Sequence, residues 1–365
     1  MKLRNWQHEC SGQAVDHYEF SSHFFCLATP GAGKTVLAAE IAKVLLHNDK
    51  IDFVLCFSPS TEVVNGVRKT FSTHLKVKFN GKLGDIGDSL TYHKLRFLDD
   101  DFWCLLDSNR VLVIMDEIHH CAGDSIDNAN AWGEEILLRV QDKATYTLAL
   151  SGTPWRSDKL PIVLSKYADE DAHIICNYVY GMQQAVLDRV CCVPQIVLVD
   201  NDVIGVKRAD TSTETFTSFQ SLFENSELRY TDVITHEQVM LYTLTAAHNK
   251  LLELRKTEAN TAGVVVASSV EHANILQALL KEKLNATAVI VNYTMPDSSA
   301  VIEQFRTSDD QWIVSVGMVS EGTDIPRLKV CCYLSDVKTE LYFRQVLGRI
   351  YELLVAICSM HGYMP

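Results

Sequence analysis

The chain has 365 residues, 47% of them hydrophobic and 22% charged, which is the composition of a globular protein with about two domains. Its formal net charge of −13 argues against a protein that coats nucleic acid through bulk electrostatics, but not against one that grips a strand in a local groove. No apolar run approaches the roughly 18 residues that a membrane helix needs, and the N-terminal MKLRNWQHEC lacks the apolar core of a secretory signal, so we expect a cytoplasmic protein without a membrane partner.

Buried strands alternate with helices in the first half of the chain. A short apolar run at 23–28 ends in a Gly-rich turn, and a helix pattern follows at 36–46. Further apolar runs typical of buried strands lie at 51–58, 111–116 and 146–151. Strands that are apolar on both faces suit a parallel sheet that is covered by helices.

The alternation weakens between 176 and 250, and we assign this segment to an inter-domain region. It resumes with an apolar strand at 263–268 and a helix that opens at capping-box spacing. Later strands are predicted at 286–292, 311–317 and 330–335. The sequence therefore predicts an α/β protein with two lobes in tandem, at 1–175 and 251–365, each with a mainly parallel sheet.

The segment ATPGAGKT (28–35) lies between a predicted strand and a predicted helix, which is the setting of a phosphate-binding loop. Backbone N–H groups at a helix N-terminus form a cradle for anions. We expect Lys34 to reach the β- and γ-phosphates and the Thr35 hydroxyl to ligate Mg²⁺. The strict pattern begins with Gly where this chain has Ala28, and a plain Gly-rich turn is the structural alternative. The residues expected to bind the nucleotide here are Thr29, Pro30, Gly31, Ala32, Gly33, Lys34 and Thr35.

A second acidic element follows the apolar strand VLVIMD (111–116). It delivers Asp116 and Glu117 at the carboxyl end of the strand, where parallel sheets bind ligands. We expect Asp116 to hold Mg²⁺, directly or through water, and Glu117 to orient and deprotonate the attacking water. His119 and His120 are neighbours in the chain, and such neighbours rarely share a metal, so a zinc site is disfavoured.

Other short motifs accompany these two in a fixed order, and they are RNWQHEC (4–10), FSPS (57–60), TYHKL (91–95), DEIHH (116–120), SGTP (151–154), VVVASS (264–269), VSEGTDIP (319–326) and RQVLGR (344–349). Together with the phosphate loop, this series resembles the DExH-type helicases and translocases of superfamily 2. The resemblance is greatest to the group that contains phage and mobile-element helicases and the motor subunits of restriction enzymes. It covers nearly the whole chain.

The resemblance implies two RecA-like P-loop domains with ATP between them and a nucleic-acid strand across both. Gln7 would read the adenine, and Gly322 and Asp324 would bind the nucleotide and couple the two sites. Gln345 and Arg349 would meet the γ-phosphate, where an arginine stabilises the charge of the transferring group. The residues expected at the phosphates of the strand, each equally well explained as a helix cap or turn residue, are Ser58, Thr91, Ser269 and Thr323.

The family pattern Q-x-x-G-R-x-x-R has its second arginine where this chain has Glu352. A carboxylate at that position would repel the phosphates. Three explanations stay open: a chain truncated after Arg349, a divergent member in which Arg349 suffices, and a protein that has kept binding and lost hydrolysis. We favour the first, with an incomplete second lobe, because the match stops abruptly after Ile350. Our hypothesis is that ATP binding is intact and hydrolysis is weak.

The sequence as a whole predicts an ATP-dependent nucleic-acid helicase or translocase that uses ATP and Mg²⁺, with DNA favoured over RNA. One alternative is an ATP-gated protein that binds nucleic acid or a partner with weak or lost hydrolysis. Another is the motor subunit of a restriction or defence complex. No nuclease motif is evident in the sequence, so the cutting part of such a complex would be an additional protein subunit.

Overall fold

The computed structural model describes residues 2–154, 156, 158–168, 174–191, 195–207, 212–317, 325–337 and 353–357, the last of these by its backbone alone. The chain divides into two compact units, residues 1–191 and 192–365. Both units have the predicted α/β architecture, and each is built around a parallel sheet. Among the described residues, no helix is both long enough and apolar enough to cross a bilayer.

The sheet of the first unit contains, within the described residues, the strands β1 (His23–Ala28), β2 (Phe53–Ser58), β3 (Gly87–Thr91), β4 (Val111–Asp116), β5 (Tyr146–Ser151) and β6 (Tyr178–Tyr180). They are arranged in the order β3-β2-β4-β5-β1-β6, and all pairs are parallel. Since parallel strands share one carboxyl edge, the loops that follow β1, β2, β4, β5 and β6 emerge side by side.

Helices cover this sheet, and they are α1 (Asn5–His17), α2 (Lys34–His47), α3 (Thr61–Leu75), α4 (Asp100–Ser108), α5 (Ala131–Arg139) and α6 (Met182–Leu187). The central strand β4 is buried at every position, and its alternate residues point to opposite faces. Leu112 and Ile114 join one apolar cluster, whereas Val113 and Met115 join another. Burial on both faces explains why β4 reads as a continuous apolar run.

The second unit contains, within the described ranges, β7 (Gln195–Val199), β8 (Ile204–Lys207), β9 (Thr213–Phe216), β10 (Ala262–Ala267), β11 (Ala288–Asn292), β12 (Trp312–Val316), β13 (Leu328–Leu334) and β14 (Leu353–Ile357). Strands β8 and β9 form an antiparallel pair. The others form a parallel sheet in the order β11-β12-β10-β13-β14-β7. Where the structure describes this unit, its helices are α7 (Phe219–Asn225), α8 (Tyr230–Ile234), α9 (Glu237–Arg255), α10 (Val270–Lys283) and α11 (Ser298–Thr307).

The segment 176–250, which the sequence analysis treats as an inter-domain region, is shared between the units. Strand β6 extends the first sheet beside β1, and β7 forms the outer edge of the second sheet beside β14. Helix α9 contributes buried residues to the core that also contains β10 and β13. The sequence shows an apolar run at 195–200, where β7 lies, and helix-like residues after it, but β6 has only three residues and leaves no recognisable pattern.

A buried arginine holds the amino ends of three strands of the second unit together. The Arg327 side chain is 5% exposed and donates hydrogen bonds to the backbone carbonyls of Asn260, Phe305 and Asp310. Its guanidinium also lies 4.6 Å from the centroid of the Phe305 ring. Three carbonyl acceptors and an aromatic face compensate for the desolvation of the charge.

Candidate nucleotide site

The loop between β1 and α2 has the backbone form of an anion cradle. Helix α2 begins at Lys34, and the two preceding glycines, Gly31 and Gly33, have φ angles of 77° and 94°. This left-handed region strains residues that carry a Cβ. A Cβ at Gly33 would also lie 2.8 Å from Nε2 of Gln7. The loop therefore requires glycine at Gly33 on both counts.

Helix α1 holds this loop through two side chains. Gln7 is 2% exposed, its Nε2 donates to the Gly33 carbonyl at 2.9 Å, and its Oε1 accepts from the backbone N–H of Arg4 at 2.9 Å. The Arg4 guanidinium donates to the carbonyls of Ala32, at 2.5 Å, and Gly31, at 3.3 Å. Sequence reasoning found Gln7 but missed Arg4. Trp6, which precedes Gln7, stacks on Tyr180 with the ring centroids 4.6 Å apart.

Lys34 and Glu117, both predicted from the sequence, are in direct contact. Nζ of Lys34 lies 2.9 Å from Oε1 of Glu117, and it also donates to the Ala28 carbonyl at 3.3 Å. Oε2 of Glu117 accepts from the backbone N–H of Gly152 at 3.2 Å. Glu117 itself has the left-handed backbone angles φ 52° and ψ 51°, which turn its side chain out of the direction of β4.

Electrostatics keep the Glu117 carboxylate ionised. Burial opposes its charge, but the Lys34 ammonium, His119 and the Gly152 N–H outweigh burial and hold the pKa of Glu117 below its usual range. A carboxylate with a low pKa is a poor acceptor of protons. The basicity of the Glu117 carboxylate therefore depends on the position of the Lys34 ammonium.

Thr35 and Asp116 border the same small space in the first unit, which is otherwise lined mainly by apolar side chains and is too small for a water molecule. Asp116 is 7% exposed and ends β4, while Thr35 lies in the first turn of α2. A hydroxyl and a carboxylate are hard oxygen ligands, which fits Mg²⁺, since this ion takes one or two protein oxygens and completes its shell with water and phosphate. Within the part of the chain that the structure describes, no group of three or more His, Cys, Asp or Glu side chains could hold a metal.

A buried polar network joins this site to the end of β5. Nδ1 of His119 lies 3.0 Å from Oγ of Ser151 and 3.4 Å from Oε2 of Glu117. Ser151 Oγ donates to the Thr153 carbonyl and accepts from the Thr153 N–H. The guanidinium of Arg156 donates to the His119 carbonyl at 2.5 Å. The motif SGTP (151–154) is thus bonded directly to DEIHH (116–120).

The residues predicted to contact a strand have varied surroundings. Ser58 is fully buried, with its Oγ 3.8 Å from Sγ of Cys56. Thr91 is partly exposed and immediately precedes a 3₁₀ helix. Ser269 is the N-cap of α10 and accepts from the His272 N–H at 3.1 Å, which is the capping role left open above. Six positions discussed in the sequence analysis lie outside the described residues: Gly322, Thr323, Asp324, Gln345, Arg349 and Glu352.

Comparison with known proteins adds independent information. Residues 1–156 match the family described as "Type III restriction enzyme, res subunit". An uncharacterized protein of Mycobacterium leprae is 31% identical over 366 residues, which cover 95% of this chain and 59% of the relative. Two uncharacterized proteins of Mycobacterium tuberculosis are 29% identical over 359 residues, covering 95% of this chain and 58% of each relative. The chain therefore spans somewhat more than half the length of these curated relatives.

A solved structure shares the fold. The protein titled "ATP-dependent Type ISP restriction-modification enzyme LlaBIII bound to DNA" superimposes with a TM-score of 0.63 at 16% identity, over all of this chain and 28% of that one. The fold is thus that of tandem RecA-like domains, as the sequence predicted. Together with the match at 1–156, it confirms the resemblance to the superfamily 2 helicases and restriction-enzyme motors.

Proposed function

We propose that the chain is an ATP-dependent nucleic-acid helicase or translocase, which couples hydrolysis of Mg-ATP to movement on a strand, with DNA as the favoured substrate. The observation that carries this proposal is the contact between Lys34 and Glu117. A phosphate-loop lysine within 2.9 Å of a carboxylate at the end of a parallel strand is an arrangement suited to phosphoryl transfer to water.

We propose a task for each residue of the site. The backbone N–H groups of residues 29–35 surround the phosphates, and Lys34 neutralises the β- and γ-phosphates. Thr35 and Asp116 would hold Mg²⁺, which would supply neutralisation of the phosphate charge. Glu117 orients the attacking water and accepts its proton. When Lys34 leaves Glu117 for the phosphates, the pKa of Glu117 rises towards its ordinary value, so the base becomes competent only with nucleotide present.

The remaining tasks follow from the sequence and the family resemblance. The two RecA-like domains are proposed at 1–175 and 251–365. In the second, Gln345 and Arg349 meet the γ-phosphate, while Gly322 and Asp324 connect nucleotide and strand. The strand phosphates lie along Thr91, Ser269 and Thr323, whereas Ser58 is left out of this proposal because its side chain is fully buried. Since Gln7 already bonds the phosphate loop, contact with adenine would transmit base identity to the loop directly.

An unwinding assay on forked and single-stranded-tailed duplexes, DNA and RNA in parallel, tests the proposal. In the presence of ATP, the chain is expected to separate the strands of a DNA duplex or to move along DNA. Lys34→Ala and Glu117→Gln are expected to abolish this activity. Lys50→Ala is the matched control, because Lys50 is exposed and lies beyond the end of α2. Activity that persists without ATP or in Lys34→Ala would refute the proposal.

A second candidate is an ATP-gated binding protein without turnover, and Glu352 is the feature that favours it. Such a protein would bind a strand more tightly with ATP, and Glu117→Gln would leave the rate of ATP hydrolysis unchanged because there is no hydrolysis to lose. A third candidate is the motor portion of a restriction or defence assembly. The name of the family matched at 1–156 favours it. Co-purification of a subunit that carries a nuclease would identify this case.

A further inference from the structure

A short 3₁₀ helix, Tyr92–Phe97, begins where β3 reaches the carboxyl edge of the first sheet. A 3₁₀ helix has three residues per turn, so its residues separate cleanly into faces. Tyr92 and Leu95 are completely buried. The remaining four side chains, all exposed, are His93, Lys94, Arg96 and Phe97. In a chain with a net charge of −13, this is a local basic and aromatic patch, which we call the 93–97 patch.

The aromatic part of the 93–97 patch is open to solvent. The Phe97 side chain is 72% exposed, and the His93 ring lies 5.2 Å from it at an angle of 55°. Leaving a phenylalanine in water forgoes stabilisation of about 1.5–3 kcal/mol that burial would supply. The aromatic ring at position 97 therefore does not stabilise the fold, whereas it would stabilise a bound flat ligand that stacks on it.

The two cationic side chains of the 93–97 patch, Lys94 and Arg96, are available to a ligand. In the contacts between described residues, no hydrogen bond or ion pair engages Lys94 or Arg96. Three aspartates follow the patch in the sequence: Asp99 caps α4 by accepting from the Phe102 N–H at 2.9 Å, Asp100 pairs with Arg139 at 2.6 Å, and Asp101 is exposed in the first turn of α4. The patch thus presents two cations beside an aromatic ring, a combination that suits nucleotides.

The buried side of the same 3₁₀ helix contacts a residue of the candidate nucleotide site. The Tyr92 hydroxyl donates to the backbone carbonyl of Asp116 at 2.9 Å. Its ring stacks on Trp132 with centroids 5.7 Å apart, and Trp132 in turn meets the His120 ring edge-on at 6.3 Å. These contacts anchor the buried side of the 3₁₀ helix, so its backbone needs no ordering when a ligand binds the exposed side.

We propose that the 93–97 patch binds single-stranded nucleic acid by stacking a base on Phe97 and His93, with Lys94 and Arg96 at the neighbouring phosphates. The inference rests on the proposed function and deepens it. The contacts expected at Thr91 read only the phosphates of a strand, whereas stacking selects strands whose bases are unpaired. A duplex hides the faces of its bases and is a poorer ligand for the patch.

Fluorescence anisotropy of a fluorescein-labelled oligothymidylate measures the effect. Phe97→Ala is expected to weaken binding about tenfold, because loss of one stacked base is worth about 1–3 kcal/mol. Phe97→Trp is expected to retain binding, since it keeps a larger stacking surface. Arg96→Ala is expected to reduce the slope of log affinity against log salt by about 0.7, the value for one lost phosphate contact.

Two matched controls lie at the opposite edge of the first sheet. Phe20 is 89% exposed and precedes β1, and Lys82 is exposed and precedes β3. Phe20→Ala and Lys82→Ala are expected to bind the oligonucleotide like the unaltered chain. Titration with a fluorescent ATP analogue, expected to be unchanged in Phe97→Ala, shows that the first unit remains folded.

The outcomes separate this inference from the proposed function. If the unaltered chain binds no single strand, the proposed function and the inference both fail. If it binds and Phe97→Ala binds equally well, only the inference fails. If Phe97→Ala weakens binding of duplex and single strand by the same factor, the patch contacts the backbone alone and the stacking proposal is overturned.

Discussion

The ion pair between Lys34 and Glu117 opposes nucleotide binding, because the phosphates and the carboxylate compete for one ammonium group. The two side chains are 9% and 25% exposed, so water weakens their attraction only in part. Glu117→Gln keeps the shape of the side chain and an acceptor for the Gly152 N–H but removes the charge. We therefore expect this variant to bind nucleotide more tightly while it loses hydrolysis.

The size of the effect follows from the burial of the pair. Coupling energies between contacting residues are about 0.5–3 kcal/mol in double-mutant cycles. A pair with one buried and one quarter-exposed member lies near the middle of this range, at about 1.4 kcal/mol. That energy corresponds to about tenfold tighter binding of nucleotide.

A fluorescent ATP analogue, titrated into four proteins, measures the coupling: the unaltered chain, Lys34→Ala, Glu117→Gln and the double variant. In the Lys34→Ala background, Glu117→Gln is expected to give no gain, since no ammonium remains to be released. An equal gain in both backgrounds would mean that the carboxylate repels the phosphates generally. In that case the ion pair does not restrain Lys34, and the reasoning is wrong.

Three further predictions concern other parts of the chain. Arg327→Met removes the donor to three backbone carbonyls and should lower the free energy of unfolding of the second unit by about 3 kcal/mol. Urea titrations followed by Trp312 fluorescence measure this change. An unchanged free energy of unfolding would refute the proposed role of Arg327 in holding the strands together. Burial lowers the pKa of His272 from 6.5 to about 4. Because the unfolded state binds the proton first, the stability that neutral His272 contributes should be complete above pH 6.5 and decline as the pH falls towards 4, and His272→Gln should flatten this decline. Tyr92→Phe removes a hydrogen bond to Asp116 worth about 1 kcal/mol and should reduce strand-stimulated ATP hydrolysis about fivefold without changing the basal rate. An equal loss in both rates would indicate a purely structural role.

Much of the nucleotide site could be predicted from the sequence because its signals are local. A phosphate loop needs a strand, a glycine turn and a helix in succession, and residues 23–47 contain all three. Asp116 and Glu117 follow an apolar strand, and parallel strands end at a common edge. These rules place Lys34 and Glu117 at the same edge of the sheet, but their direct contact depends on the strand order, in which β5 lies between β1 and β4.

The features that escaped prediction depend on contacts between distant segments. Nothing in the sequence indicates that Arg4 reaches the carbonyls of the phosphate loop, because an arginine near the N-terminus usually lies in solvent. The bond from Tyr92 to Asp116 is equally invisible, since both residues had separate roles in separate motifs. Ser58 is the opposite case, because its motif predicted an accessible hydroxyl, whereas the structure buries its side chain.

The most direct test of the account is steady-state ATP hydrolysis measured against increasing concentrations of single-stranded DNA. The account predicts a rate that rises with the strand to a plateau and disappears in Lys34→Ala and Glu117→Gln. A rate that is the same with and without DNA, or that survives Lys34→Ala, would contradict it.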